Sequence, residues 1–341
     1  MNRLPSCLPL TPPAPLILSV FRGRSLDRPP SPRLRVSVAI PAHREVEALA
    51  ACLRALANQT DLRGMPLDPA CFEIILLVNN SSDGSTALAH RFADRHPELA
   101  LHIVDLTLAP EHAHVGWARR LAMDEAFDRF RLLDRSDGVI ATTDADTLVA
   151  PDWIARTLAE MEQGADAVGG RLMVSPAGLL KADPQLWRAT VMHRRYEALA
   201  DRLASLADPD PFDTWPRHGD HGGASLAATA AAYLRAGRLP PLPSGEDKAF
   251  YRALRSSGAR FRHSPEVRVF TSDRLQGRAP GGMAATLSRW RASLSHGAGI
   301  LVECPDAMAR RLRSGAASAD LVPLPAALPM LARTVTALGA S

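Results

Sequence analysis

Apolar residues in this chain alternate between two rhythms. Short continuous runs, which suit buried strands, occupy residues 35–40, 72–78, 101–106, 138–143 and 165–174. Between them apolar positions recur at helical spacing: Val46, Leu49, Ala50, Leu53, Leu56 and Ala57, then residues 86–95, then Val115, Ala118, Leu121, Ala122 and Ala126. Pro151 stands where a further helix would start, with Asp152 in its first turn. Strands alternating with helices predict an α/β fold, a mostly parallel doubly wound sheet flanked by helices. Ligands of such sheets bind at the carboxyl ends of the strands. The polar clusters at 43–45, 79–83 and 144–146 each follow an apolar run, so they are expected to meet on one edge of the sheet.

The second half is less regular. Residues 181–206 predict a long helix, 208–223 a loop dense in Pro, Asp, His and Gly, and 225–235 a helix. Gly245-Glu246-Asp247 opens another helix, 267–270 suits a strand, and 271–282 reads as a polar loop. Residues 1–34, rich in proline and arginine without periodicity, are expected to form a flexible leader. The two halves are expected to share one sheet over 35–290, divided near 175, with 291–341 as a C-terminal appendage.

Composition narrows the class. The 341 residues are 46% hydrophobic and 22% charged, which excludes a disordered chain and a disulfide miniprotein. The net charge is +4, and 38 of the 40 basic residues are arginine, since only Lys181 and Lys248 are lysines. They are scattered rather than clustered, which argues against nucleic-acid binding. Cys7, Cys52, Cys71 and Cys304 lie far apart with no C-x-x-C pair, as expected of reduced thiols in the cytoplasm. The apolar stretch 321–340 is broken by Pro323, Pro325, Pro329 and Arg333, so it reads as a packed tail or a peripheral membrane contact rather than a span.

Asp144-Ala145-Asp146 is the sharpest chemical feature. Two carboxylates two residues apart at a strand end suit a hard dication bridging phosphate oxygens, Mg²⁺ or Mn²⁺. A solvated turn with capping aspartates is the plainer alternative, and the place after a buried strand favours the metal.

Five segments, in order, resemble the landmarks of family 2 glycosyltransferases with the GT-A fold. Val36-Ser-Val-Ala-Ile-Pro-Ala-His-Arg-Glu45 is similar to their opening strand and turn, and residues 72–80 to their second strand with its acidic end. Gly116-Trp-Ala-Arg-Arg120 matches part of a G-x-A-x-A-R-N segment. Thr142-Thr-Asp-Ala-Asp146 looks like their D-x-D strand end, and Gly245-Glu-Asp247 like their E-D motif. The resemblance implies transfer of a sugar from a nucleoside-diphosphate-sugar donor to a hydroxyl-bearing acceptor. It implies Pro41, Ala42, Glu45, Asn80, Arg119 and Asp144 around the nucleotide sugar, and Asp144, Asp146 and a late histidine, His263, on the metal. Asp247, beside Glu246, is implied as the base that takes the acceptor's proton, and His218, Asp220 and His221 as acceptor contacts. A base and a cation on opposite faces of the sugar favour inversion.

The pattern also departs from the family. His43-Arg44 replaces x-Asn before Glu45, Asn79-Asn80 replaces an acidic pair, and Arg120 stands where asparagine is usual. Ser288-Arg289-Trp290 keeps only the Arg-Trp of the Q-x-x-R-W motif of processive synthases, so non-processive transfer is expected. Arg274 and Arg278 could clamp a diphosphate. Two rivals stand beside this reading. A nucleotidyltransferase needs a glycine-rich loop after the first strand, which Pro41-Ala-His-Arg-Glu45 lacks. A silent sugar-nucleotide-binding protein has no need of both carboxylate pairs.

Overall fold

The computed structural model describes residues 26, 28–174, 183–272, 283–314 and 320–339. Most of the expected leader, Lys181 and the Arg274 and Arg278 clamp lie outside these residues.

Eight strands make one sheet: β1 Val36–Ala42, β2 Phe72–Asn79, β3 Leu101–Leu106, β4 Val139–Thr142, β5 Leu148–Val149, β6 Ala167–Val174, β7 Leu226–Thr229 and β8 Phe261–Thr271. Their order is β3-β2-β1-β4-β7-β6-β8-β5. The strands β1 to β4 run parallel as neighbours, and β6 runs parallel to β8. β7 lies antiparallel between β4 and β6, and β5 antiparallel on β8. The sheet is therefore mixed, with the expected parallel half intact.

Helices α1 Val46–Ala57, α2 Ser85–Arg95 and α4 Trp153–Glu162 cover one face. Their buried side chains, among them Leu49, Leu53, Phe92, Trp153 and Ile154, pack on Val36, Val38, Ile74 and Leu76. Helices α3 Val115–Leu132, α6 Ala230–Arg235 and α7 Glu246–Ser256 cover the other, where Leu121, Phe130, Tyr233 and Phe250 meet Ala39, Ile75 and Phe261. This division is what period-two strands demand, since alternate residues face opposite layers.

The long helix α5 Pro184–Ala207 carries a smaller third core. Its Tyr196 and Leu203 pack with Ile300, Val302, Met308, Leu324 and Leu331. Ile300 precedes β9 Leu301–Glu303, which carries Val302; Met308 lies in α9 Pro305–Ser314, and Leu324 and Leu331 in α10 Leu324–Gly339; α8 Met283–Ser295 comes before them, and β10 Leu321–Pro323 pairs with β9. No helix among the described residues is long and apolar enough to cross a membrane.

Three sequence expectations are revised, and one strand was not read at all. Residues 225–235 are not one helix: Leu226–Thr229 is a strand slotted between β4 and β6, and the Thr229 hydroxyl then caps α6 by accepting from Ala232 N–H. Its alanine-rich sequence has good helix propensity, but pairing on both sides overrides it. β8 is longer than the expected 267–270, with a register break between Gly170 and Arg171 of its partner where Pro265 has no N–H to give. The two-residue β5 carries no periodicity to read. The end of the leader is also fastened: Leu34 is buried and its carbonyl accepts from Arg135, while Arg28 carbonyl accepts from Arg129.

A buried ion cluster closes the β2–β3 side. Arg129 of α3 donates two bonds to Glu73 of β2, at 2.8 and 2.7 Å, with Ser37 and His102 beside them. Burial pushes the Glu73 carboxyl up, but hydrogen bonds from His102 and Arg129 outweigh it and hold the group below its ordinary value. Removing one partner leaves a buried charge alone, so Arg129→Met is expected to cost about 3–5 kcal/mol, read by urea unfolding. A carboxyl held low contributes stability that is present above its ordinary value of 4.5 and lost as pH falls through the folded value. The wild-type Tm should therefore drop more steeply below pH 4.5 than that of the Glu73→Gln/Arg129→Met double variant.

Candidate active site

The turns after β1 and β2 are stitched together at the carboxyl edge of the sheet. His43 Nδ1 donates to the Asn79 carbonyl at 2.8 Å, Arg44 N–H to Ser81 Oγ at 2.7 Å, and Glu45 N–H to Ser85 Oγ at 3.1 Å. Val46 N–H donates to Asp83 Oδ2 at 3.0 Å. Burial pushes the Asp83 carboxyl up, but bonds from Ser85 and Val46 N–H outweigh it and lower its pKa. Arg44 and Asn80 both take left-handed backbone, at φ 54° and 50°, a conformation these bonds hold in place. Asn80 gives both ends of its amide to Leu108, donating to its carbonyl at 2.9 Å and accepting from its N–H at 3.0 Å. Its side chain thus shapes the loop after β3. Pro41 and Ala42 are the buried last residues of β1.

Glu45, Asp144 and Asp146 converge. Cys52 on α1 lies under them, donating to the Asp144 carbonyl at 3.5 Å. Burial, then the charges of Asp146, Asp144 and Glu45, push its thiol far above the ordinary range. All three carboxylates, from the ends of β1 and β4, lie near enough to Cys52 for their charges to act on its thiol.

The centre of the edge is Arg119, four residues into α3 and 2% exposed. Nη2 donates to Asp144 Oδ1 at 2.7 Å, and Nε to Glu246 Oε1 at 3.2 Å. Nη1 donates to Thr142 Oγ1 at 2.7 Å and to the Gly223 carbonyl at 3.0 Å. Burial alone would lower its pKa, but Asp144 and Glu246 outweigh it and keep the guanidinium charged. The planar fork suits this task, because its donors reach several acceptors in fixed directions. The same fork leaves no room at Gly223, where an added Cβ would stand 2.7 Å from the guanidinium carbon.

Asp247 completes the wall. Its Oδ2 accepts from Gly223 N–H at 2.9 Å and its Oδ1 from Lys248 N–H at 2.7 Å. Both donors are backbone groups. Neighbouring Glu246 is buried; desolvation raises its carboxyl, Arg119 opposes and the Asp247 charge adds to the rise.

The loop that carries Gly223 is pinned from below. His218 donates from Nε2 to the Ser264 carbonyl at 3.0 Å and accepts Asp220 N–H at Nδ1, also at 3.0 Å. Burial drops its pKa to about 3, so the ring is neutral. Asp220 Oδ2 accepts Leu172 N–H at 3.1 Å, and Asp201 of α5 accepts Gly219 N–H at 3.1 Å. His218 therefore uses both ring nitrogens, and Asp220 its Oδ2, to hold the loop. His221 differs. It stacks on Tyr251 with ring centroids 4.1 Å apart, it bonds the Gly219 backbone, and its buried Nδ1 meets no hydrogen-bond partner among the described residues. Burial, then the His263 charge, lowers its pKa.

His263 lies on β8, three strands from β4 in the order of the sheet. Thr142 pairs with Leu226, Leu226 with Gly169, and Gly169 with His263. Three strand spacings, about 14 Å along the sheet, separate His263 from the end of β4. Its Nδ1 donates to Asp213 Oδ2 at 2.7 Å, and its ring sits among His221, Tyr251 and Phe261. Among the described residues no group of three or more His, Cys, Asp or Glu is arranged to hold a metal ion. Two carboxylates remain, Asp144 and Asp146, and Arg119 occupies one oxygen of Asp144. Such a hard-oxygen pair fits a dication that takes its other ligands from phosphate and water.

Sequence reasoning missed the Arg119 bridge, the Cys52 floor and the Asp213–His263 pair. The first had a signal, an arginine on the inward stripe of an amphipathic helix; the other two depend on contacts across the sheet.

The Glycosyl transferase family 2 model matches residues 37–213, just over half of the chain. Glycosyltransferase AglE of Haloferax volcanii is 26% identical over 138 residues, covering 40% of this chain and 39% of AglE. The chain thus spans well under two thirds of that relative's length. A mannosyltransferase of Pyrobaculum calidifontis, solved with GDP-Man and Mn2+, aligns over 96% of this chain and 83% of its own, at 20% identity and a TM-score of 0.50. S. aureus TarS 1-349 with UDP aligns over 71% of this chain and 61% of its own, at 14% identity and a TM-score of 0.48. The mannosyltransferase shares the fold, and the sequence match over strand, turn and D-x-D end assigns the lineage: the chain belongs to glycosyl transferase family 2.

Proposed function

We propose that the protein transfers a sugar from a nucleoside-diphosphate-sugar donor to a hydroxyl-bearing acceptor, with inversion, one sugar per encounter and a divalent cation. The observation that carries this reading is the Arg119 bridge. One buried guanidinium binds Asp144 of the D-x-D end and Glu246 of the acceptor-side pair, and through Gly223 it fixes the loop that aims Asp247. Carboxylates that serve the two ends of one displacement are thereby set in a common frame.

The donor side is the edge formed by Pro41, Ala42, Glu45, Asn80 and Asp144. Asn80 contributes by holding the loop at Leu108 rather than by offering a free amide. Asp146 and Asp144 are the residues that would hold Mg²⁺ or Mn²⁺. Bound there, the cation would offset charge gathering on the departing diphosphate. A neighbour of this fold that holds GDP-Man with Mn2+ supports the same pairing of sugar nucleotide and dication.

The acceptor side is α7 and the 218–223 loop. An alcohol attacking an anomeric carbon becomes far more acidic as its bond forms, and a carboxylate within hydrogen-bond reach takes its proton. Asp247 is that base. Its two backbone N–H bonds fix its direction without pairing it to a side-chain cation. Glu246 anchors Arg119 behind it. His221, neutral and with Nδ1 unsatisfied, is the ring suited to an acceptor hydroxyl. The reading includes a cytoplasmic setting, with the apolar C-terminal segment meeting a membrane surface only peripherally.

Three outcomes are expected. In a thermal-shift panel of UDP-, GDP- and dTDP-sugars, one nucleotide class should raise Tm with Mn²⁺ and much less without it, and Asp146→Asn should remove the metal-dependent part. Asp247→Asn should lower nucleoside-diphosphate release from that donor by a factor of roughly 10²–10⁴ while donor binding stays within about twofold. Equal turnover in that variant would refute the base assignment. The sugar released in that hydrolysis should emerge first as the inverted anomer by proton NMR.

A further inference from the structure

Beyond Asp146 the sheet presents an apolar row to solvent. Met173 of β6 pairs with Phe270 of β8, and Phe270 pairs with Leu148 of β5. Directly paired residues on adjacent strands share a face, so the three side chains form one cross-strand line. Their neighbours Leu172, Val149 and Val269 alternate to the opposite face and pack on the core. Met173 is 38% exposed and Leu148 39%, with Phe270 half-buried between them. Large apolar side chains set in a contiguous line beside a ligand-binding edge offer a surface for the apolar part of a ligand.

Three observations say which. The row begins two residues after Asp146, at Leu148. It lies on the same face as Arg171, two residues before Met173, whose guanidinium reaches Asp201 at 2.7 Å and Asp220 at 3.6 Å. Those carboxylates hold the loop that carries His221 and Gly223, so Arg171 ties the face of the row to the acceptor-side loop. It spans two strand spacings, about 9.5 Å. That is far too small for a second protein, which needs on the order of 1,200 Å², but it matches an alkyl chain of about eight carbons.

We infer, on the basis of the transferase site proposed above, that Leu148, Phe270 and Met173 form an apolar subsite for the acceptor. The acceptor class it selects is an amphiphile: a hydroxyl-bearing head at Asp247 and an aliphatic tail laid across the strand ends. Fully water-soluble sugars would leave the row bare and bind more weakly. The discrimination comes from methylene burial, with no hydrogen bond to read.

The test uses n-octyl and methyl β-D-glucopyranoside as probes, the former below its micelle threshold, titrated into the full chain by calorimetry. The wild type should bind the octyl glycoside roughly tenfold more tightly, as burial of two or three methylenes gives. Leu148→Ser/Met173→Ser should erase that gap, and Leu148→Met/Met173→Leu, which keeps the row apolar, should retain it. Donor binding, read by thermal shift with UDP- and GDP-sugars and Mn²⁺, should be the same in all three. Equal binding of the two glycosides by the wild type, or a gap that survives in the serine variant, would overturn the subsite. Loss of donor binding from the wild type would instead strike the transferase reading, whatever the glycosides do.

Discussion

One buried arginine sets the frame on which the edge depends. Taking a guanidinium out of water costs several kcal/mol unless its donors are met and its charge is balanced. Arg119 meets that condition through Thr142 and Asp144 at the end of β4, the Gly223 carbonyl and Glu246, which come from three separate parts of the chain. None of the four can shift without exposing a buried charge or an unmet donor. The strand end, the helix start and the glycine loop are held in mutual register by that penalty, with the Gly223 N–H bond to Asp247 joining the last two directly.

Around this centre the loops are secured by polar atoms whose chemistry is spent on structure. Asn80 braces the loop at Leu108, His218 ties the glycine loop to β8, and Asp220 ties it to β6. Asp201 adds a bond from α5, the helix on which the C-terminal core is built. Disturbance of that core has a route through α5 and Gly219 to the loop that aims Asp247. Rigidity of this kind suits a site that must hold a base and a leaving group in line, since catalysis rests on geometry set before the reaction.

Much of this was legible in the sequence. The runs that became β1 to β4 and β6 are apolar because both faces of a parallel sheet are covered, and the polar residues after them had to lie at one edge. The convergence of Glu45, Asp144 and Asp146 follows from that rule, and the field on Cys52 records it. What was not legible depends on pairing between distant segments. Leu226–Thr229 reads as helix because alanine is a helix former, and it becomes a strand only because β4 and β6 leave a slot for it. The resemblance placed His263 on the metal; its bond to Asp213 and its place beside Tyr251 depend on contacts between distant segments that no local pattern shows. The sequence likeness marked Arg119 as a nucleotide contact; that its donors also bind Thr142, Asp144, Gly223 and Glu246 was not legible, because those partners are brought to it by the fold.

The most direct test is a crystal of the protein grown with Mn²⁺ and the nucleotide sugar that stabilises it most, examined by anomalous scattering. The account predicts a manganese peak against Asp146 with the diphosphate on it, and the Asp247 carboxylate facing the anomeric carbon from the side opposite the diphosphate. A diphosphate seated away from Asp144 and Asp146, or an Asp247 carboxylate turned from the sugar, would contradict it.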